Sequence, residues 1–165
     1  MNRINKAIFL DRDGVINLKR DDYVKSISEF VFLPNVHSFI KKLCDMGFLI
    51  IVVTNQSVVN RGLISNNKLN EIHEYMLREL NKQACKINKI YFCPHRPDEN
   101  CNCRKPRTGL IMKAIEEFKV DISRSWLIGD SNSDIEAANS VGLKSIKVDK
   151  EFDLRKAVEI ISNEL

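Results

Sequence analysis

Along the chain, short unbroken apolar runs alternate with stretches in which apolar residues recur at steps of three and four. Runs rich in β-branched or aromatic residues predict strands over 7–10, 49–53, 90–92, 125–128 and 145–148. They are continuous rather than alternating, as expected of strands covered on both faces. Between them a helix is predicted over 36–46. A second follows from the stripe Leu69, Ile72, Met76, Leu77 and Leu80. Two later stripes have the same period: Leu110, Ile111, Ala114, Ile115 and Phe118, then Leu154, Ala157, Val158 and Ile161. A short helix over 134–141 runs into Gly142, a residue that tolerates the left-handed C-terminal conformation. This order predicts an α/β fold: a Rossmann-like, three-layer parallel sheet with helices on both faces, joined by right-handed crossovers.

Composition narrows the picture. With 165 residues, 44% of them hydrophobic, the chain can bury one sizeable core, and a single domain over 1–165 is expected. No repeat, low-complexity tract or linker divides it. The 26 basic and 22 acidic residues leave a formal charge of +4 that is scattered rather than gathered into blocks, so nucleic acid is not an expected partner. Residues 1–6 hold no apolar core of signal-peptide length, and the longest apolar run, 48–53, is too short to span a bilayer. A cytoplasmic monomer with no membrane partner is expected.

Candidate chemistry lies at the ends of the predicted strands. Asp11 and Asp13 stand one residue apart in Phe9-Leu10-Asp11-Arg12-Asp13-Gly14. Eleven aspartates supply such a pair about 0.7 times by chance, so the spacing alone carries little. Its position carries more, because carboxylates at the tip of a buried strand need a metal, a cation or solvent. The second strand ends in Thr54-Asn55-Gln56-Ser57, neutral hydrogen-bonding groups suited to phosphate oxygens, and the fourth in Gly129-Asp130-Ser131-Asn132-Ser133-Asp134. Arg104-Lys105 adds two cations in a loop. Ligands of open α/β sheets bind at this carboxyl edge. A carboxylate approaches an anionic phosphate only if positive charge offsets the repulsion.

Cys93-Pro94-His95 followed by Cys101-Asn102-Cys103 places three thiols and an imidazole in a loop poor in large apolar residues. The set suits a closed tetrahedral Zn²⁺ site at 93–103, structural because no position is left for water. It would fix the loop that carries Arg104 and Lys105. Cys44, Cys85 and Trp126 are read as packing residues. So are His37 and His73, as packing or surface residues, with His73 placed away from any motif.

Asp11-Arg12-Asp13-Gly14, Thr54-Asn55-Gln56, Lys105 and Gly129-Asp130 with Asp134 resemble the four motifs of the haloacid dehalogenase superfamily. The resemblance covers nearly the whole chain. It is nearest to the branch without a large cap domain that contains the D-glycero-D-manno-heptose 1,7-bisphosphate 7-phosphatases and the histidinol-phosphate phosphatases. Asp13-Gly14-Val15-Ile16-Asn17, Tyr23-Val24, Ser57 and Arg61-Gly62 favour the heptose group. The resemblance implies a phosphoric monoester hydrolase that removes the 7-phosphate of the heptose bisphosphate. The alternatives are histidinol phosphate as substrate, a nucleic-acid 3′-phosphatase, and a non-catalytic zinc-stabilised binding module. It further implies Asp11 as nucleophile, Asp13 as general acid and base, and Thr54 and Lys105 as groups that stabilise the phosphoryl group. Asp11, the Asp13 carbonyl and Asp130 would hold Mg²⁺. Asn55, Gln56, Ser57, Arg104, Arg61 and the loop 19–23 with Tyr23 would contact the rest of a small-molecule sugar phosphate. Asp134 would either support the metal's water shell or cap a helix starting at that residue. Two positions depart from the pattern: Val58 stands where Gly is frequent, and Ser131 replaces a common Lys or Arg, removing one cation.

Overall fold

The structure, a computed structural model, describes residues 4–165. Its strands are β1 (Ala7–Leu10), β2 (Leu49–Asn55), β3 (Lys89–Cys93), β4 (Trp126–Gly129) and β5 (Lys144–Lys147). They form one parallel sheet in the order β3-β2-β1-β4-β5. The helices are α1 (Val36–Asp45), α2 (Asn66–Asn81), α3 (Gly109–Phe118), α4 (Asn132–Val141) and α5 (Leu154–Asn163).

The continuous apolar strands are explained by the two faces they serve. Ile8, Leu10, Ile50, Val52, Trp126 and Ile128 point into a core completed by α1, α2 and α5. Their neighbours Ala7, Phe9, Ile51, Val53 and Leu127 point the other way, against Ile111 and Ala114 of α3 and Ala137 and Ala138 of α4. Because side chains alternate along a strand, both faces must be apolar. β1 is central, and all four of its residues are fully buried. Strand order reverses between β1 and β4, so the crevice for a ligand opens at their carboxyl ends.

Two boundaries differ from the sequence expectation in ways that matter. β2 continues to Asn55, because Thr54 and Asn55 pair in register with Phe92 and Cys93. α4 begins at Asn132 rather than Asp134. Ser131 is its N-cap, and Asp134, three residues on, closes a reciprocal capping box. The 25-residue connection from β1 to α1 is not a slack loop. The bridges Asp13–Asn17 and Asn17–Phe32 fold it back over the sheet edge.

Ile8→Ala should cost about 3 kcal/mol in urea unfolding, since it empties a site at the centre of the sheet. Ile4→Ala, at a residue 59% exposed, should stay within about 0.5 kcal/mol. Equal effects would contradict the placement of the core.

Candidate active site

A cleft at the carboxyl edge is lined by Asp11, Asp13, Lys19, Tyr23, Asn55, Gln56, Ser57, Arg104, Lys105, Asp130, Ser131 and Asp134 among others. The four predicted motifs therefore converge. Asp11 leaves β1 with its amide donating to the Ile128 carbonyl of β4 (3.0 Å), which sets the two strand ends side by side. Gly14 follows with φ +84°, and a side chain there would run into the Asp130 carboxylate. Only glycine permits both the left-handed turn and that close approach.

Lys105 is a buried cation at the centre of the motifs. Its ammonium lies 3.1 Å from Asp11 and 2.6 Å from Asp134, and donates to the Val53 carbonyl (2.6 Å). Burial would lower its pKa, but Asp11 and Asp134 more than reverse this and hold it above the usual lysine value. Asp134 thus caps α4 and pairs with Lys105. Asn55 grips the Lys105 backbone at both ends, donating to its carbonyl (3.1 Å) and accepting from its amide (3.0 Å).

The two aspartates occupy contrasting surroundings. Burial raises Asp11 to about 7; Lys105 opposes this, while Asp134, Asp13 and Asp130 add to it. Burial would also raise Asp13, but Arg12 and hydrogen bonds from Asn17, Arg12 and Gln56 hold it below the usual value. Arg12 Nη2 and Asn17 Nδ2 both donate to Asp13 Oδ1 (2.9 Å each), and Gln56 Nε2 donates to Oδ2 (2.7 Å).

Other predicted residues fall into place unevenly. Thr54 is fully buried and does not line the cleft; its hydroxyl accepts from Gln56 Nε2 (2.9 Å). Ser57 lines the cleft and accepts from Arg61 (3.2 Å), whose guanidinium lies 5.8 Å from the Tyr23 ring. Arg61 itself is exposed outside the cleft wall. Arg104 lines the cleft and anchors to the His95 carbonyl (3.1 Å). Val58 is fully buried as an apolar packing residue. Ser131 carries no charge, yet a cation is present: Lys19 reaches across from the β1 loop to within 2.8 Å of Asp130 Oδ2.

His73 corrects the sequence reading. It is buried as a packing residue, but not away from the motifs: its Nε2 lies 3.1 Å from Arg12 Nη1. Arg12, unassigned from sequence, is fully buried between His73 and Asp13. The other packing expectations agree, with Cys85 and Trp126 buried, Cys44 half-buried and His37 against Phe32.

Oxygen donors suited to a hard cation gather at Asp11, Asp130 and Asp134, within 4.8 Å of one another. Asp130 Oδ1 is buried without a hydrogen-bond partner, which fits a metal ligand. The Asp13 carboxylate is not in that group, being held by Arg12, Asn17 and Gln56. Cys93, His95, Cys101 and Cys103 form a second group within 4.8 Å. His95 Nδ1 lies 3.3 Å from Cys93 Sγ and 3.2 Å from Cys103 Sγ. The Arg104 amide donates to Cys101 Sγ (3.3 Å). Burial raises the Cys101 thiol, but this and the other hydrogen bonds draw it down to about 6. Three sulfurs and an imidazole nitrogen fit zinc.

The fold and the convergent aspartates, lysine and strand-end motifs define a haloacid dehalogenase-type hydrolase. A HAD-hydrolase-like family model matches residues 102–162. The chain is 42% identical over 139 residues to a D-glycero-β-D-manno-heptose-1,7-bisphosphate 7-phosphatase of Neisseria meningitidis, covering 84% of this chain and 74% of that one. It is equally 42% identical, over 132 residues, to a D-glycero-α-D-manno-heptose-1,7-bisphosphate 7-phosphatase of Campylobacter jejuni (80% of this chain, 75% of that one). The crystal structure of D,D-heptose 1,7-bisphosphate phosphatase from B. bronchiseptica complexed with magnesium and phosphate superposes with a TM-score of 0.90. It shares 32% identity, over 97% of this chain and 99% of that one. The chain belongs to the heptose-1,7-bisphosphate 7-phosphatase family.

Gly14→Ala should destabilise more than Gly62→Ala. Both carry positive φ and pay about 1–2 kcal/mol for the left-handed backbone. A methyl group at residue 62 meets nothing within 4 Å, whereas at residue 14 it must displace Asp130. Urea melts of the two variants give the comparison, and equal losses would contradict the close approach.

Proposed function

We propose that the protein is a Mg²⁺-dependent sugar-phosphate phosphatase that removes the 7-phosphate of D-glycero-D-manno-heptose 1,7-bisphosphate. The observation that carries this reading is Asp11 beside Lys105 at the end of β1, with Asp13 two residues on in the same cleft. The names of the relatives supply the substrate, and none of the alternatives is favoured by a feature of the cleft. The chain acts as a single domain, a cytoplasmic monomer. Among the described residues no helix is long and apolar enough to cross a membrane.

In the first half-reaction an Asp11 oxygen bonds to phosphorus as the bond from phosphorus to the sugar oxygen breaks, and that oxygen takes a proton from Asp13. In the second, a water oxygen bonds to phosphorus as the bond from phosphorus to the Asp11 oxygen breaks, and the water gives a proton to Asp13, which restores both aspartates and releases phosphate. Lys105 neutralises charge on the phosphoryl oxygens and keeps Asp11 oriented. Asp11, Asp130 and the Asp13 carbonyl would hold Mg²⁺, which supplies charge neutralisation and polarises the phosphoryl group. Asn55 acts mainly by holding Lys105 in place, and Gln56 by holding Asp13. Arg104, Ser57, Lys19 and Tyr23 are placed to contact the remainder of the substrate, with Arg61 behind Tyr23. Thr54 supports the phosphoryl pocket from beneath, through Gln56. Cys93, His95, Cys101 and Cys103 would hold a structural zinc that fixes Arg104 and Lys105.

Phosphate release from heptose 1,7-bisphosphate should require added Mg²⁺, and Asp11→Asn should lower kcat by more than about 10⁴-fold while the protein remains folded. Wild-type enzyme that releases no phosphate from this ester would overturn the reading. Metal analysis should find about one zinc per chain. Cys103→Ser should lose zinc and about tenfold in kcat/KM, because the loop carrying both cations loses its anchor. Unchanged turnover without zinc would show that the loop holds its shape unaided.

A further inference from the structure

Among the described residues Arg12 is the largest fully buried side chain, and its polar contacts are few. Nη2 donates to Asp13 Oδ1 (2.9 Å) and Nη1 points at His73 Nε2 (3.1 Å). Nε has no partner, and the Phe30 ring lies 5.8 Å from the guanidinium carbon. A guanidinium has donors only. His73 Nε2 must therefore offer a lone pair, which makes this histidine neutral, with its proton on Nδ1. Burial and the Arg12 charge press in the same direction, driving the His73 pKa down to about 3 against the opposing pull of Asp13. His73 rises from α2, 61 residues beyond Arg12, so a helix on one face of the sheet braces a side chain of the catalytic loop.

We infer that His73 is a positioning residue for the general acid and base. By accepting from Arg12 it fixes the guanidinium that, together with Asn17, occupies Asp13 Oδ1, leaving Oδ2 as the oxygen that exchanges protons with the reacting groups. Oδ1 already accepts two hydrogen bonds, whereas Oδ2 accepts one, from Gln56. Without the His73 acceptor, Nη1 would be a buried donor with no partner, and the guanidinium would turn to find one. The proton-carrying oxygen would then lose its fixed direction. The inference rests on the phosphatase reading above.

The test compares two esters. The sugar alkoxide needs the Asp13 proton to leave, whereas the phenolate of p-nitrophenyl phosphate does not. kcat/KM reports the steps up to formation of the aspartyl-phosphate. His73→Leu should lower kcat/KM for heptose 1,7-bisphosphate roughly 10- to 100-fold and for the aryl ester less than about threefold. The inhibition constant of inorganic phosphate should stay unchanged. His73→Gln, whose amide oxygen can accept from Arg12, should restore sugar-ester turnover to within about threefold of wild type. Should His73→Leu not fold, Arg12→Lys, which keeps the cation but not the forked donor, carries the same comparison. An equal loss on both esters, a rise in the phosphate constant in step with the loss, or no recovery with His73→Gln would overturn the inference. Wild-type protein inactive on the heptose ester would instead sink the phosphatase reading itself.

Discussion

The ammonium of Lys105 is the contact on which the rest of the site depends. Its side chain is 2% exposed, and it lies against Asp11 at the end of β1, Val53 on β2 and Asp134 in the first turn of α4. Burying charge is costly, and a pair buried this deeply is tolerated only when each member is matched. Here one cation serves two carboxylates. Removing it would strand both, a kind of change that costs about 3–5 kcal/mol. The same ammonium thus joins the end of β1 to β2 and α4 across the crevice and offsets the charge of the carboxylate that Asp11 presents to the cleft.

A lysine on a loop is a poor anchor unless the loop is rigid, and three devices stiffen this one. Asn55, at the last position of β2, clamps the Lys105 backbone on both sides. Cys103 and Cys101 bring the preceding residues into the thiol and imidazole cluster, and Arg104 donates from its backbone to Cys101 and from its side chain to His95. The extension of β2 through Thr54 and Asn55 is what brings the first device within reach. The position of the cation is therefore set by sheet register on one side and by the cysteine loop on the other.

What could be read from the sequence was local. The strands, the helices and the cysteine cluster follow from periodicity and spacing, because each depends on residues near one another in the chain, and the convergence of motifs follows from the parallel order those elements imply. Arg12 and His73 were not legible in this way. Arg12 lies within the first motif but nothing there gives it a partner, nothing near His73 marks it, and their partnership spans 61 positions. Lys19 is a similar case. The missing cation at Ser131 could be seen, but that a lysine 111 residues away in sequence would reach Asp130 could not. The hydrogen bonds of Asn55 to the Lys105 backbone and of Thr54 to Gln56 were also not legible, because β2 runs two residues further than its apolar run.

Asp11 and Asp13, two residues apart, have been driven in opposite directions. Burial and three neighbouring carboxylates outweigh Lys105 and lift Asp11 to about 7, whereas Arg12 and two amides hold Asp13 below the usual carboxylate value. The two-step mechanism proposed above calls for the reverse: an anionic nucleophile and a protonated acid. Positive charge beside Asp11 and Asp130 favours the carboxylate, and the negative charge of an arriving phosphate favours a proton on Asp13.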